Sequence, residues 1–93
     1  MDLQSLRIKI DEIDDAIVDL FQKRMDISAE VALYKIKNNL PVFDPAREQQ
    51  KLQEISGKVK EGREDYITAL YSLIFKLSRA EQERIMNSSQ ETV

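Results

Sequence analysis

The first third of the chain carries a helical period. Apolar side chains recur at Leu6, Ile10, Ile13, Ile17 and Leu20, in steps alternating four and three, and return at Ile27 and Val31. That alternation is the period of an α-helix and comes close to a coiled-coil seam. Asp11, Glu12, Asp14, Asp15, Asp19 and Lys23 fall on the other faces. No Gly or Pro interrupts Leu3 to Asn38, so the pattern predicts one helix over about residues 3–38. Asn38-Asn39-Leu40-Pro41 closes it, because Asn tolerates the left-handed conformation and Pro cannot continue the ladder. Asp44-Pro45 opens a second helix, with Asp44 as N-cap and Pro45 at the first helical position. Leu52, Ile55 and Val59 give it one modest apolar face over residues 45–60. Gly62 marks the next connection. Ile67, Leu70, Tyr71, Ile74, Leu77 and Ile85 predict a third helix over about residues 64–86. The polar tail 87–93 is expected to fray.

The expected fold class is therefore all-α, long–short–long. Its first helix has a size consequence. At ~1.5 Å per residue it spans roughly 50 Å, whereas a compact globule of this length has a radius of gyration of about 12 Å. The helix outruns its own subunit, and its stripe calls for a partner helix. A homodimer is the simplest solution.

Composition then prunes the chemistry. Only two Gly and two Pro in 93 residues are too few for the frequent turns of a sandwich or barrel. The absence of Cys excludes a disulfide scaffold and any thiolate metal site. The absence of His removes the commonest general base and metal ligand, and with it any Ser–His or Cys–His nucleophile system. A net charge of −3 argues against general nucleic-acid binding, which calls for a basic face. No apolar run approaches the ~20 residues of a membrane span, and the N-terminus lacks the apolar region of a signal peptide. The expectation is a single domain over residues 1–93, in the cytoplasm, working by positioning and electrostatics if it is an enzyme.

Two seam positions break the pattern. Arg24 stands where the next apolar residue belongs, and Lys35 follows Val31 by four on the same stripe. Eleven residues apart, they differ by only ~20° around the helix, so both face the core side. Each alone reads as a snorkelling side chain or half of an ion pair; together they equally suit a shared anionic ligand. Ser78 and Gln82, spaced i, i+4, interrupt the third helix in the same way. They read either as a helix–helix hydrogen bond or as neutral donors lining the pocket of the cations. Asp44, Arg47 and Glu48 gather at the second helix's start, as a cap with surface ion pairing or as an anion site. Arg7 lies ~25 Å along the first helix from Arg24. It is either a solvated arginine or a group reaching a partner's site.

These residues carry a family resemblance. The run Leu6-Arg7-x-x-Ile10-Asp11-x-Ile13-Asp14, then Arg24-Met25, Lys35, Pro41-Val42-x-Asp44-x-x-Arg47-Glu48 and Ser78-x-x-x-Gln82 resembles the all-helical chorismate mutases, the AroQ class, over residues 3–86. The resemblance implies an interlocked homodimer with two sites, each completed by Arg7 from the other subunit. It implies the Claisen rearrangement of chorismate to prephenate, in phenylalanine and tyrosine biosynthesis, with no cofactor and no metal. It further implies that Arg24 and the partner's Arg7 hold the carboxylates of the substrate, with Arg47 adding positive potential. Lys35 would bind a carboxylate and the ether oxygen, and Gln82 would donate to that oxygen. Glu48 would accept from the ring hydroxyl with Asp44 nearby, and Ser78 would bond the ring carboxylate. An amide at position 82 donates at every relevant pH, so broad activity around neutrality is expected. The rival readings are an isochorismate-pyruvate lyase on the same scaffold and a non-catalytic helical dimerisation module.

Overall fold

The computed structural model describes residues 2–91 as three helices: α1 (Leu3–Lys37), α2 (Pro45–Ser56) and α3 (Glu64–Glu91). The all-α, long–short–long architecture stands, and the helix ends show why. Asp2 caps α1 by accepting from the Ser5 N–H at 2.8 Å. That bond holds the Asp2 carboxyl below the ordinary Asp range. At the other end Asn39 takes the left-handed conformation with φ 54°. The Leu40 N–H then reaches the Lys35 carbonyl at 2.8 Å and the Asn39 N–H reaches that of Ile36 at 3.4 Å. This paired closure satisfies the carbonyls that the helix end would leave open. Asp44 caps α2, its carboxylate accepting from the Arg47 N–H at 3.1 Å, and Pro45 occupies the first helical position.

Two helix boundaries differ from the sequence reading. α2 ends at Ser56, not near residue 60. Gly57 is its C-cap, a residue with little helix preference, and the Lys58 N–H folds back to the Ile55 carbonyl at 3.0 Å. α3 runs five residues past the predicted end at Met86, to Glu91. Neither Gly nor Pro stands in Asn87–Glu91 to stop it, so polarity alone did not make that stretch fray. Met1, Thr92 and Val93 lie outside the described residues.

α3 is the common partner, packing along both α1 and α2, while α1 and α2 do not pack on one another. The gap between them is where the site forms. Among the described residues, buried side chains begin only at Ser28. Ala32, Ile55 and Phe75 are the buried apolar residues, and Ser28, Ser78 and Gln82 are buried with them. The N-terminal half of α1 touches nothing comparable. Every residue from Asp2 to Leu20 is exposed, including Ile13 at 58%, Ile17 at 57% and Leu20 at 63%. The chain is accordingly 60 Å long with a radius of gyration of 16.9 Å, well beyond the ~12 Å of a compact chain this size. Among the described residues no helix is long and apolar enough to cross a membrane.

Candidate active site

A pocket of about 460 Å³ lies where α1, the start of α2 and the C-terminal half of α3 converge. The helical period builds it. Arg24, Ser28, Val31 and Lys35 fall on one face of α1, and Phe75, Ser78 and Gln82 on one face of α3. Asp44, Arg47, Glu48 and Lys51 come from the first two turns of α2 and its cap. Arg24 donates through Nη1 to Ser78 Oγ at 2.6 Å, with its guanidinium 5.7 Å from the Phe75 ring centre. Lys35 donates through Nζ to Gln82 Oε1 at 3.0 Å and to the Val42 carbonyl at 2.8 Å. Ser78 and Gln82 thus each make a helix–helix hydrogen bond, accepting from Arg24 and Lys35, and each also lines the cavity; the two cations face that cavity with hydrogen-bond partners in place of an ion pair.

The charge balance inside is the reverse of the whole chain's. Arg24, Lys35, Arg47, Lys51 and Arg79 line the pocket against only two carboxylates, Asp44 and Glu48. A small anion entering it meets fixed cations in a part-buried setting, where Coulomb attraction is stronger than in bulk water. Two of the cations are also held by the fold itself. Arg24 is fixed by a hydroxyl and a ring, and Lys35 by an amide and a main-chain carbonyl.

Seven of the eight residues singled out in the sequence line this cavity: Arg24, Lys35, Asp44, Arg47, Glu48, Ser78 and Gln82. Arg7 does not; it is exposed on the uncovered half of α1, far from Arg24 along the same helix. The surface ion pairing considered for Asp44, Arg47 and Glu48 takes another form. Asp44 is used as the cap, and Glu48 turns instead to Arg79, whose Nη1 lies 2.5 Å from both carboxylate oxygens. Arg79 also sits over the Phe43 ring, at 5.1 Å. Arg79 falls one residue, about 100°, off the stripe through Ser78, so the periodicity does not mark it. Ser28 is marked by its spacing of four from Arg24, which places it on the same face, and joins the site unannounced. The Val42 carbonyl had no sequence signal, since a main-chain acceptor leaves none.

The comparisons with known proteins converge on one family. The sequence model of chorismate mutase type II matches residues 6–83. A bifunctional chorismate mutase/prephenate dehydratase of Buchnera aphidicola is 39% identical over 88 residues, covering 92% of this chain and 23% of that protein. The chain thus spans about a quarter of the length of such bifunctional relatives. A 4-amino-4-deoxychorismate mutase of Streptomyces venezuelae is 33% identical over 46 residues, half of this chain and 45% of its own. The crystal structure of a chorismate mutase from Helicobacter pylori in complex with prephenate superposes with a TM-score of 0.81 at 35% identity, covering 91% of this chain and 93% of the other. With the family model matching residues 6–83 and the solved fold covering 91% of the chain, the chain belongs to the type II chorismate mutases.

Proposed function

We propose that the chain catalyses the Claisen rearrangement of chorismate to prephenate, as an interlocked homodimer in the cytoplasm. The observation that carries this reading is the pocket in which Arg24, Lys35 and Gln82 converge among five cations. The reaction is unimolecular: one C–O bond breaks as one C–C bond forms, with no proton transfer and no nucleophile. A chain without His or Cys loses nothing by that.

Chorismate is a dicarboxylate, and planar guanidinium groups grip carboxylates with two parallel hydrogen bonds. Arg24 is the group for one of them, with Ser78 beside it for the ring carboxylate. Arg47 adds positive potential at the α2 start. Negative charge grows on the ether oxygen as the C–O bond breaks. Lys35 and Gln82, adjacent through their mutual hydrogen bond, supply a cation and an amide donor to that oxygen. Donors that bind the developing charge more tightly than the ground state lower the barrier. Glu48 accepts from the ring hydroxyl, with Asp44 close by. Confinement of the substrate in its chair-like, reactive geometry adds an orientation term.

The exposed α1 stripe supports the dimer. Leu6, Ile10, Ile13, Ile17 and Leu20 lie uncovered in the protomer, and a two-fold partner helix buries them. The same arrangement brings Arg7 to the partner's pocket, where it completes carboxylate binding.

The test is prephenate formation from chorismate by wild type, Lys35→Ala and Gln82→Ala. Turnover by wild type and its loss in both variants is the expected result. Absence of wild-type turnover, or pyruvate release from isochorismate as the main activity, overturns the proposal. Mixing inactive Arg7→Ala and Lys35→Ala subunits should restore activity, since one site of each heterodimer is then intact. Proven heterodimers without rescue would remove Arg7 from the site.

A further inference from the structure

Arg79 has no part in the reaction as described, yet it lines the pocket and clamps a side chain of that reaction. One nitrogen bridges both Glu48 oxygens at 2.5 Å, and the guanidinium is backed by the Phe43 ring. The side chains are only 31% and 22% exposed, so the pair sits partly out of water, where charges act on each other strongly. The electrical consequence is local. A lone Glu48 would offer a full negative charge to whatever the substrate ring presents there. Paired with Arg79, it offers hydrogen-bond acceptors with little net charge.

We propose that Arg79 is a specificity-determining positioning residue, which sets the Glu48 corner of the pocket for a neutral ring hydroxyl and against a ring ammonium. The proposal rests on the reading of Glu48 as the acceptor for the ring hydroxyl. An aliphatic amine at that ring position is protonated at neutral pH, as in the 4-amino substrate for which the Streptomyces relative is named. A hydroxyl needs an acceptor and gains it from the paired carboxylate. An ammonium needs an uncompensated anion, and Arg79 both cancels that anion and repels the incoming cation. Arg79 acts through Glu48 and the local field, so its signature is a change in preference between two substrates.

The experiment compares kcat/KM for chorismate and for 4-amino-4-deoxychorismate in wild type, Arg79→Met, Arg79→Lys and Glu48→Gln. The ratio is internal to each protein, so partial loss of folded enzyme cancels. Arg79→Met keeps the length and removes the charge, and the ratio should move toward the amine by at least about tenfold. Arg79→Lys keeps the cation and should stay near the wild-type ratio. Glu48→Gln leaves the Arg79 cation uncompensated and should move the ratio about tenfold the other way. Unchanged ratios in Arg79→Met and Glu48→Gln, or equal shifts in Arg79→Met and Arg79→Lys, overturn the role of Arg79. Wild type inactive on chorismate overturns the proposed function itself, which is a separate result.

Discussion

Replacing Gln82 by Glu changes one atom pair and should separate stability from catalysis. A lysine ammonium can only donate, so the 3.0 Å contact from Lys35 fixes the Gln82 amide with its oxygen toward Lys35 and its NH2 toward the cavity. In Gln82→Glu the first oxygen keeps the Lys35 bond. The second oxygen stands where the NH2 stood, an acceptor in place of a donor. Unit charges 3.0 Å apart attract by about 5–6 kcal/mol at an effective dielectric of 20. Placing a carboxylate at a site 8% exposed costs several kcal/mol in lost hydration. The two nearly cancel, so the melting temperature should move by only a few degrees. Catalysis has no such compensation. Loss of one donor to a developing negative charge costs about 10²–10³ in kcat, or ~2.7–4 kcal/mol, and a carboxylate facing that oxygen adds repulsion. At pH 7.5 the expected loss is about a thousandfold. Protonation restores an O–H donor, so activity should climb as pH falls toward the ordinary Glu value of about 4.3, while wild type stays level. The assay is chorismate consumption from pH 4.5 to 8.5, with thermal melts on the same samples. A variant within threefold of wild type at pH 7.5, with a flat profile, would refute the assignment of Gln82 as donor.

Three further outcomes follow from the same geometry. Ile17→Asp puts a charge on the uncovered α1 stripe, where each copy otherwise gains roughly 1.5–3 kcal/mol from a buried side chain; light scattering should report monomers and turnover should vanish, and a persistent active dimer would place the interface elsewhere. Gly62→Ala meets no atom within 4 Å of the new Cβ but must hold φ 91°. It should lose roughly 1 kcal/mol and melt about 4–8 °C lower with kcat unchanged. The Asp2 carboxyl titrates below its usual range because the folded chain supplies the Ser5 N–H, so its capping is complete above the unfolded Asp value and is lost as pH falls through the lowered one. Protection of the Ser5 amide, taken against its intrinsic exchange rate at each pH, should fall over that window in wild type and stay level in Asp2→Asn.

The fold was legible because most of it is local. The α1 period, the Asn39 stop and the Asp44-Pro45 start are written within a few residues of where they act. The site was legible for a different reason: Arg24, Lys35, Ser78 and Gln82 are polar groups on apolar stripes, and such groups need a reason to be there. What escaped was set by tertiary geometry. Arg79 is an ordinary off-stripe arginine until α2 brings Glu48 to it. The end of α2 depended on how Gly57 resolved against Val59, and α3 outran Met86 because polar residues without Gly or Pro continue a helix readily. The described residues leave the α1 stripe uncovered, so one sequence could announce the need for a partner and nothing more.

Lys35 has a final consequence, seen by counting hydrogens. Its ammonium carries three. One goes to the Val42 carbonyl and one to Gln82, which leaves one. Tetrahedral geometry then fixes where the third must point. Lys35 is therefore a directional donor as well as a positive charge. It can serve a single substrate oxygen without letting go of α3 or of the turn after α1. In the proposed reaction a carboxylate and the ether oxygen would share that hydrogen, the ether oxygen drawing more of it as negative charge builds there. The rotational freedom that a lysine normally surrenders on meeting its ligand is already surrendered when the chain folds.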